Sequence, residues 1–595
     1  MTQKILSITI DANSSACAMI DGEIVAAISE ERFNKIKNYV GYPKQSVEHC
    51  FKALGGSVDK ILLPSPESDP LLVLTHWTKR DVQERIDEQN KYWYPNLYEN
   101  KNVHYLSVFP EKLNLQQYPG EKFWSQIDLK ADVSTRIKQF KKLRKLMISE
   151  HLNVPVEKIT FKQHHMCHSY YAYYASPIRN EPVLSFTADG FGDHWCATLR
   201  LFDENGKSKV LMQSDEALLG RLYRFVTLNL KMKPLEDEYK VMGLAPYASE
   251  YHWRKPYEVF KQLLEVDGYN IKLKNRPKDF FFYYQKKLES FRFDAIAGGL
   301  QKYLEDIVVQ WVENAIEITG VKNVVFSGGV SMNVKAMMEV SKIKSLEKLH
   351  VPPSGADESL CIGAAYHEAS KHLNSHDILP LKNAYLGVGY NADEIQKFIV
   401  DNLIDQHYNV TNNVSSDQIA LELSQGSVIG LFTGKMEFGA RALGARSIIA
   451  DPRSVDTVKR INYKIKNRDF WMPFAPAVLQ ERVNDYFINE KNLVSSFMTI
   501  GFETTDLGKN TLKAAIHSAD QTGRPQFVTK EYNSTYYNII KSFEELTGVG
   551  ALLNTSFNLH GLPIAMTPED AMHVLDNSGL DALLIEGFLI KKKLA

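Results

Sequence analysis

Residues 4–29, KILSITIDANSSACAMIDGEIVAAIS, hold three short apolar runs: Ile5–Ile10, Ala16–Ile20 and Glu23–Ile28. The β-branched residues favour extended backbone, and Asp21-Gly22 supplies a tight turn, so the stretch reads as a β-hairpin opening a sheet. Strand-like runs return at Val183–Ala188 and Val324–Ser327, with helical patterns at about 332–342 and 360–372. Strands alternating with helices make the chain α/β. Polar, proline-punctuated Ser370–Asn383 is the best domain boundary, dividing the chain into 1–378 and 379–595. Pro64–Leu152 reads as an insertion with its own helices. It carries Trp77, Trp93, Tyr94, Tyr98 and Trp124 and the basic run Lys138–Lys145. No internal repeat and no low-complexity segment is visible.

At 595 residues the chain is about four times a common domain length of roughly 150. It is 44% hydrophobic and 24% charged, an ordinary globular balance. Seventy Lys and Arg against 71 Asp and Glu leave a net charge of −1, which argues against a purely electrostatic polymer binder. Five cysteines are scattered without a Cys-x-x-Cys pair, so a disulfide scaffold or cysteine zinc knuckle is not expected. The N-terminal apolar run is too short for a signal peptide, and no stretch approaches ~20 uninterrupted apolar residues. A soluble, cytoplasmic protein without membrane partners is expected.

Three constellations carry chemistry. In Gln163-His164-His165-Met166-Cys167-His168, a helix would put His164 and His168 on one face, where two imidazoles can hold one metal. The same histidines could equally be polar members of a helix face. Asp189-Gly190 ends the Val183 strand before a glycine turn, a place for a third ligand, while Asp357 could cap its own helix or join that metal. Second, Ser327-Gly328-Gly329-Val330 takes a strand into a glycine turn and a helix, where backbone N–H groups can approach phosphate. Third, Gly434–Ser447 sets Arg441 and Arg446 among glycines, and Lys464, Lys466, Arg468, His517, Arg524 and Asn554-Thr-Ser556-Phe-Asn558 follow. Arginines beside low backbone suit planar, bidentate capture of phosphate, so a polyanion site is expected here.

The opening hairpin resembles the first phosphate hairpin of the actin/sugar-kinase/heat-shock-chaperone superfamily. The whole ordered set resembles the O-carbamoyltransferase family that includes the tobramycin, cephamycin and nodulation-factor enzymes. It comprises Glu30-Glu31-Arg32-Phe33, His-His-x-x-His at 164–168, Asp189-Gly190, Glu238–Ala245, Gly328-Gly329-Val330, Met436–Ser447, Pro473–Pro476 and Asn554–Asn558. The likeness excludes the insertion near 64–152 and the stretch 251–291. It implies an N-terminal domain of that superfamily, similar to the tRNA threonylcarbamoyl transferases, and a smaller α/β domain similar to the threonylcarbamoyl-AMP synthases. The smaller domain would make carbamoyl-adenylate from carbamoyl phosphate and ATP with Mg. The larger would pass the carbamoyl group to an acceptor hydroxyl beside a metal. By family position, His164, His168, Asp189 and Asp357 would hold Fe(II) or a similar divalent ion. Gly190, Lys240, Gly243, Gly328, Gly329 and Asn333 would bind the adenylate. Arg441, Arg446, Lys466, Arg468, His517, Arg524, Ser556 and Asn558 would line the carbamoyl-phosphate/ATP pocket.

One departure matters. Where the family's hairpin carries a histidine taken as the base for the acceptor, this chain has Ala12, which cannot move a proton. Asp11 and Lys37 are the nearest groups expected to replace it. The alternatives are a threonylcarbamoyl-type transferase acting on tRNA and a retired nucleotide- and metal-binding module. The acceptor is expected to be a small-molecule or glycosidic hydroxyl, with a hydroxymethyl-pyrimidine nucleotide or nucleic acid second. A homodimer stays open.

Overall fold

The computed structural model describes residues 3–10, 12–75, 79–109, 120–466 and 468–593; Asp11 and Trp77 lie outside the described residues. The chain forms two compact α/β units. One comprises Met1–Glu31 and Asn38–Pro380, the other Arg32–Lys37 and Leu381–Ala595. The second unit thus takes the short segment 32–37 in addition to the residues after 380.

The first unit contains two five-stranded sheets. In the first, the order is Glu23–Ser29, Ser15–Ile20, Lys4–Thr9, Lys60–Pro64, Ile159–Lys162. The first three strands form an antiparallel meander, and the last two join in parallel. The second sheet repeats this order with Ser208–Ser214, Trp195–Phe202, Val183–Gly192, Asn323–Ser327 and Lys348–His350. The repeat is one of topology. Pairing geometry depends on apolar patterning rather than residue identity, which is why no repeat shows in the sequence.

Two helices lie between the sheets. His164–Ala175 packs on the second sheet, Leu360–Ala369 on the first, and the helices pack on each other. At their crossing a Cβ on Gly363 would stand 1.9 Å from the Cys167 carbonyl oxygen, so only glycine allows this approach. Strand Val183–Gly192 runs through Asp189-Gly190 instead of stopping before them, with a bulge between Ala188 and Gly192. The helical pattern expected at 332–342 resolves into a 3₁₀ turn, Gly329–Met332, and a helix, Val334–Ser341.

The expected insertion is largely helical, ending in Val133–Leu152. Part of its basic run pairs within the unit, while Lys138 and Lys142 are exposed. Lys141 pairs with Glu67, and Arg144 is buried and donates to the Ser65 and Pro66 carbonyls at 3.0 and 2.8 Å. Arg136, just ahead of it, pairs with Asp69 at 2.6 Å. The second unit is an eight-stranded mixed sheet with Ile429–Phe432, Arg446–Ala450 and Ala551–Ser556 near its centre. Its core includes Ile399, Phe432, Ile448, Leu553, Phe557 and Leu583. No described helix is long and apolar enough to cross a membrane.

A buried charge network ties the first sheet to helix Leu360–Ala369. Glu368 accepts from Lys162 at 2.5 Å, from Lys371 at 3.0 Å and from Lys60. Burial alone would raise the Glu368 carboxyl, but the three ammonium groups hold it well below the ordinary carboxylate value of 4.5. A carboxyl depressed in the folded state stabilises above that ordinary value, and the contribution fades as pH falls below it. Glu368→Ala, which strands buried Lys162, is expected to cost about 3–5 kcal/mol. Glu368→Gln is expected to flatten the loss of stability between neutral pH and pH 3, measured by thermal unfolding of the full chain.

Candidate active site

Gln163 caps helix His164–Ala175 by accepting from the Met166 N–H at 2.6 Å. The i, i+4 spacing then turns His164 and His168 to one face, as expected. His165 points elsewhere: its ring nitrogens meet Thr187 Oγ1 at 2.8 Å and the Trp195 carbonyl at 3.0 Å inside the core. Asp189 and Asp357 come to the same place. One ligand atom from each of His164, His168, Asp189 and Asp357 lies within 4.8 Å of the other three. His168 Nε2 is 3.3 Å from Asp189 Oδ2, and both histidines place Nε2 3.7 Å from Asp357 Oδ1.

The geometry fits a metal. Both Nε2 atoms are buried without a hydrogen bond. Both Nδ1 atoms are held from behind, His164 by Ser65 Oγ at 2.9 Å and His168 by Ser327 Oγ at 3.2 Å. A metal-binding imidazole is commonly oriented by a bond to its other nitrogen. Two imidazoles and two carboxylates make a mixed N/O donor set suited to a first-row divalent ion. With protein groups alone, burial pushes the His164 imidazole down, but Asp189, Asp357 and Asp193 outweigh it and bring it up to about 9. Burial likewise opposes charge on Asp189, yet the two imidazoles hold its carboxyl well below the usual carboxylate range.

Asp189 also fixes the glycine turn. Its carboxylate accepts from the Gly190 N–H at 2.7 Å and the Gly329 N–H at 3.1 Å. Gly328, at φ +89°, brings the turn so close that a Cβ would stand 2.3 Å from the Ala188 carbonyl oxygen. Of the other residues expected around the adenylate, Gly243 is buried in helix Glu238–Leu244 and Lys240 pairs with Asp237 at 3.1 Å. Asn333 serves the fold itself. It caps helix Val334–Ser341 through the Ala336 N–H at 2.9 Å and exchanges bonds with Gln301. The opening hairpin is fastened to this region, since Asn13 donates to Glu358 Oε2 at 3.2 Å and Ser15 to the Glu358 carbonyl at 2.7 Å.

The second unit holds a site of opposite character. Lys466 is buried, and its ammonium donates to the Ser556 carbonyl, Ser556 Oγ (3.3 Å), the Asn558 carbonyl (3.0 Å) and Asn558 Oδ1 (2.6 Å). All four acceptors are neutral. Burial, then the charges of Arg468 and Lys37, hold this ammonium well below the usual lysine range. Lys37, expected beside the first hairpin as a proton acceptor, counts with the second unit.

Arg446 is tied to the main chain. Its guanidinium is buried over the Phe432 ring at 3.6 Å and donates to the carbonyls of Thr433 (3.0 Å), Ala445 (2.9 Å), Gly434 (3.1 Å) and Val388 (3.4 Å). With these donors committed to main chain, Arg446 braces the loop. His517, also buried, accepts from the Ala519 N–H at Nδ1. Arg441 and Arg524 are half-buried in the same unit. Glu437 carried no expected role and proves central: one of its oxygens accepts from the N–H groups of Leu443, Ala445 and Arg446 at 2.6, 3.1 and 3.1 Å. Three such bonds shape the loop carrying Arg441, and an acid shortly before two arginines in a glycine-rich run was the available signal.

Comparison with known proteins assigns the chain. The Carbamoyltransferase N-terminus family matches residues 4–366, and the Carbamoyltransferase C-terminus family matches 420–592. The chain belongs to the carbamoyltransferase family. Nodulation protein NolNO of Sinorhizobium fredii is 28% identical over 98% of this chain and 79% of its own length. Nodulation protein NolO of Bradyrhizobium diazoefficiens is 29% identical over 72% of this chain and 79% of its own. An uncharacterized protein of Methanocaldococcus jannaschii is 34% identical over 76% and 78%. Full-length HypF in its phosphate- and nucleotide-bound form aligns with a TM-score of 0.34 at 10% identity, over 62% of this chain and 55% of its own, too slight to carry an argument. The protein is a carbamoyltransferase.

For this carbamoyltransferase, metal titration tests the four-residue cluster. Wild type is expected to take up one divalent ion per chain, read by calorimetry with Mn(II) and by elemental analysis. His168→Ala should abolish uptake. Ser327→Ala, which frees the His168 ring behind the site, should weaken it about 10-fold or more.

Proposed function

We propose that this carbamoyltransferase works in two steps, one in each unit, and transfers the carbamoyl group to a hydroxyl. The observation that carries the reading is the contrast between the sites. One is a buried mixed-sign cluster of imidazoles and carboxylates, the other a cationic pocket around neutral oxygens. A carbamoyl group is a poor electrophile; as a mixed anhydride with AMP it gains a good leaving group.

In the second unit, water would cleave carbamoyl phosphate to carbamate and inorganic phosphate, and a carbamate oxygen would then displace pyrophosphate from the α-phosphorus of ATP to give carbamoyl-adenylate. Arg441, Lys466, Arg468 and Arg524 are suited to hold the phosphoryl groups, and arginine's planar fork can engage two oxygens at once. Ser556 and Asn558 orient the Lys466 ammonium. Arg446 and Glu437 keep the loop in place from beneath.

In the first unit, His164, His168, Asp189 and Asp357 would hold Fe(II) or a similar ion. Bound there, such a cation would stabilise negative charge developing on the adenylate phosphate. The N–H groups of the Gly328-Gly329 turn and the Gly190 main chain offer short approaches to the same phosphate. The repeated sheet topology supports reading this unit as a member of the actin/sugar-kinase/heat-shock-chaperone superfamily. Ala12 leaves the hairpin without an imidazole, and we assign the acceptor's proton to Asp11, the neighbouring carboxylate. Internal pairing of Arg136, Lys141 and Arg144 favours a small-molecule or glycosidic acceptor over nucleic acid.

Arg441→Ala or Arg524→Ala is expected to abolish carbamoyl-phosphate-dependent pyrophosphate release from ATP. His164→Ala is expected to spare that release and stop the mass gain of one carbamoyl group on the acceptor. Loss of pyrophosphate release in His164→Ala, with retention in metal-depleted wild type, would overturn the two-site reading. Ala12→His is expected to hold or speed transfer, and Asp11→Asn to slow it by at least ~10²-fold.

A further inference from the structure

We propose that Arg144, in the insertion, is a positioning residue for the histidine–carboxylate cluster. Its guanidinium fixes the loop 65–69, and that loop holds the His164 ring in place to receive a cation. The proposal rests on the reading that the cluster binds a divalent ion.

Strand Lys60–Pro64 runs directly into this loop. Ser65 is buried and takes a φ of +55°, a left-handed conformation that a residue with a Cβ keeps only where its surroundings enforce it. Helix Val133–Leu152 supplies the enforcement by lying along the loop in the opposite direction. Arg136 pairs with Asp69, Lys141 with Glu67, and Arg144 donates to the Ser65 and Pro66 carbonyls at 3.0 and 2.8 Å. Arg144 is itself fixed. Its guanidinium lies over the rings of Phe140 at 4.7 Å and Phe161 at 4.8 Å, the latter on strand Ile159–Lys162 of the first sheet. One planar fork thus engages two successive carbonyls, a geometry that a lysine ammonium does not reproduce.

The loop in turn holds His164 at two points. Ser65 Oγ meets His164 Nδ1 at 2.9 Å. The Glu67 N–H donates to Asp193 Oδ1 at 2.9 Å, and Asp193 Oδ2 accepts the His164 N–H at 2.8 Å. Strand Val183–Gly192 closes on the same ring, since a Cβ on Gly192 would stand 2.2 Å from His164 Cδ2. Ring and main chain are therefore both fixed, and with them the Nε2 that faces Asp357 at 3.7 Å and Asp189 at 3.9 Å. His168 is held separately, by Ser327 on another strand. The insertion thus bears on one of the two imidazoles. An imidazole gains metal affinity from being oriented at its other nitrogen. For His164 that orientation depends on a serine whose backbone conformation Arg144 maintains. An arginine that only filled the insertion's core would leave the His164 ring unchanged on exchange for lysine.

The test uses full-length chains carrying Arg144→Lys, Ser65→Gly, both together or, as a control on the exposed face of the same helix, Lys142→Gln. Glycine accepts the left-handed conformation without steric cost, so Ser65→Gly removes the hydroxyl and leaves the loop its shape. Ser65→Gly is expected to keep the metal-free melting temperature and to lower Mn(II) affinity, read by calorimetry, about 10-fold or more. Arg144→Lys should lower that affinity similarly. Because both act through one contact, the double variant should lose about 3-fold or less beyond Ser65→Gly. In histidine-labelled, metal-free chains, the NMR signal of the His164 ring, assigned by its loss in His164→Gln, should shift in both single variants. Lys142→Gln should match wild type in every readout. Unchanged Mn(II) affinity or an unmoved ring signal in Arg144→Lys overturns the proposal, as do losses that simply add in the double variant. If wild type takes up no Mn(II), the metal reading fails, and the ring signal still decides whether Arg144 positions His164.

Discussion

Asp189 is the constraint on which the geometry of the first unit's histidine–carboxylate cluster and glycine turn depends. Its carboxylate faces His164 and His168 while accepting from the Gly190 and Gly329 N–H groups. It thus joins strand Val183–Gly192, the glycine turn after Asn323–Ser327 and helix His164–Ala175. A carboxylate has lone pairs enough for all of these, and no other side chain of similar length offers two equivalent acceptors. Shifting it would misplace both the cation-type cluster and the backbone N–H groups suited to a phosphate. Ser327 reinforces the link, since it ends the strand before the turn and also holds the His168 ring.

The two sites manage charge in opposite ways. Around Asp189, opposite charges face one another, so the protein alone can balance them by holding a proton on His164. Around Lys466, like charges gather, and the oxygens that receive its ammonium are neutral. A balanced cluster can exchange its proton for a cation, whereas a cationic one is suited to an anion. This contrast, rather than any single motif, separates the roles assigned to the two units.

Much of the first site was legible because it depends on local periodicity. The i, i+4 histidines share a face in any helix, and a carboxylate before Gly190 at a strand end was a reasonable ligand. Less legible were residues whose roles depend on distant partners. Asn333 lies in a phosphate-type turn, but its amide caps the next helix and meets Gln301. Arg446 has the right neighbours for phosphate, but four main-chain carbonyls claim it. Within the basic run at 138–145, Arg144 lies buried under two carbonyls and Lys141 pairs with Glu67, partners far away in sequence. Asp11 falls outside the described residues, so its expected role rests on sequence. The α/β class followed from alternating strands and helices, while the repeated sheet order stayed hidden because topology can recur without recurring residues.

Sequence order and fold part company at residues 32–37. The matched N-terminal family domain begins at residue 4 and includes them, yet the fold counts them with the other unit. The physical cause lies at the base of the excursion. Glu30 is buried and accepts from the Gln45 and Ser46 N–H groups at the start of helix Lys44–Ala53, and Glu31 accepts from Asn38. Adjacent carboxylates thus hold both ends of the loop to the first unit, and what lies between counts with the second. Arg32, Lys35 and Lys37 follow at once, so a short run of acids and bases divides its charges by unit. The acids fix the base of the loop, and the bases count with the second unit, where Arg32 meets the Gly439 carbonyl and Lys35 meets Asp570.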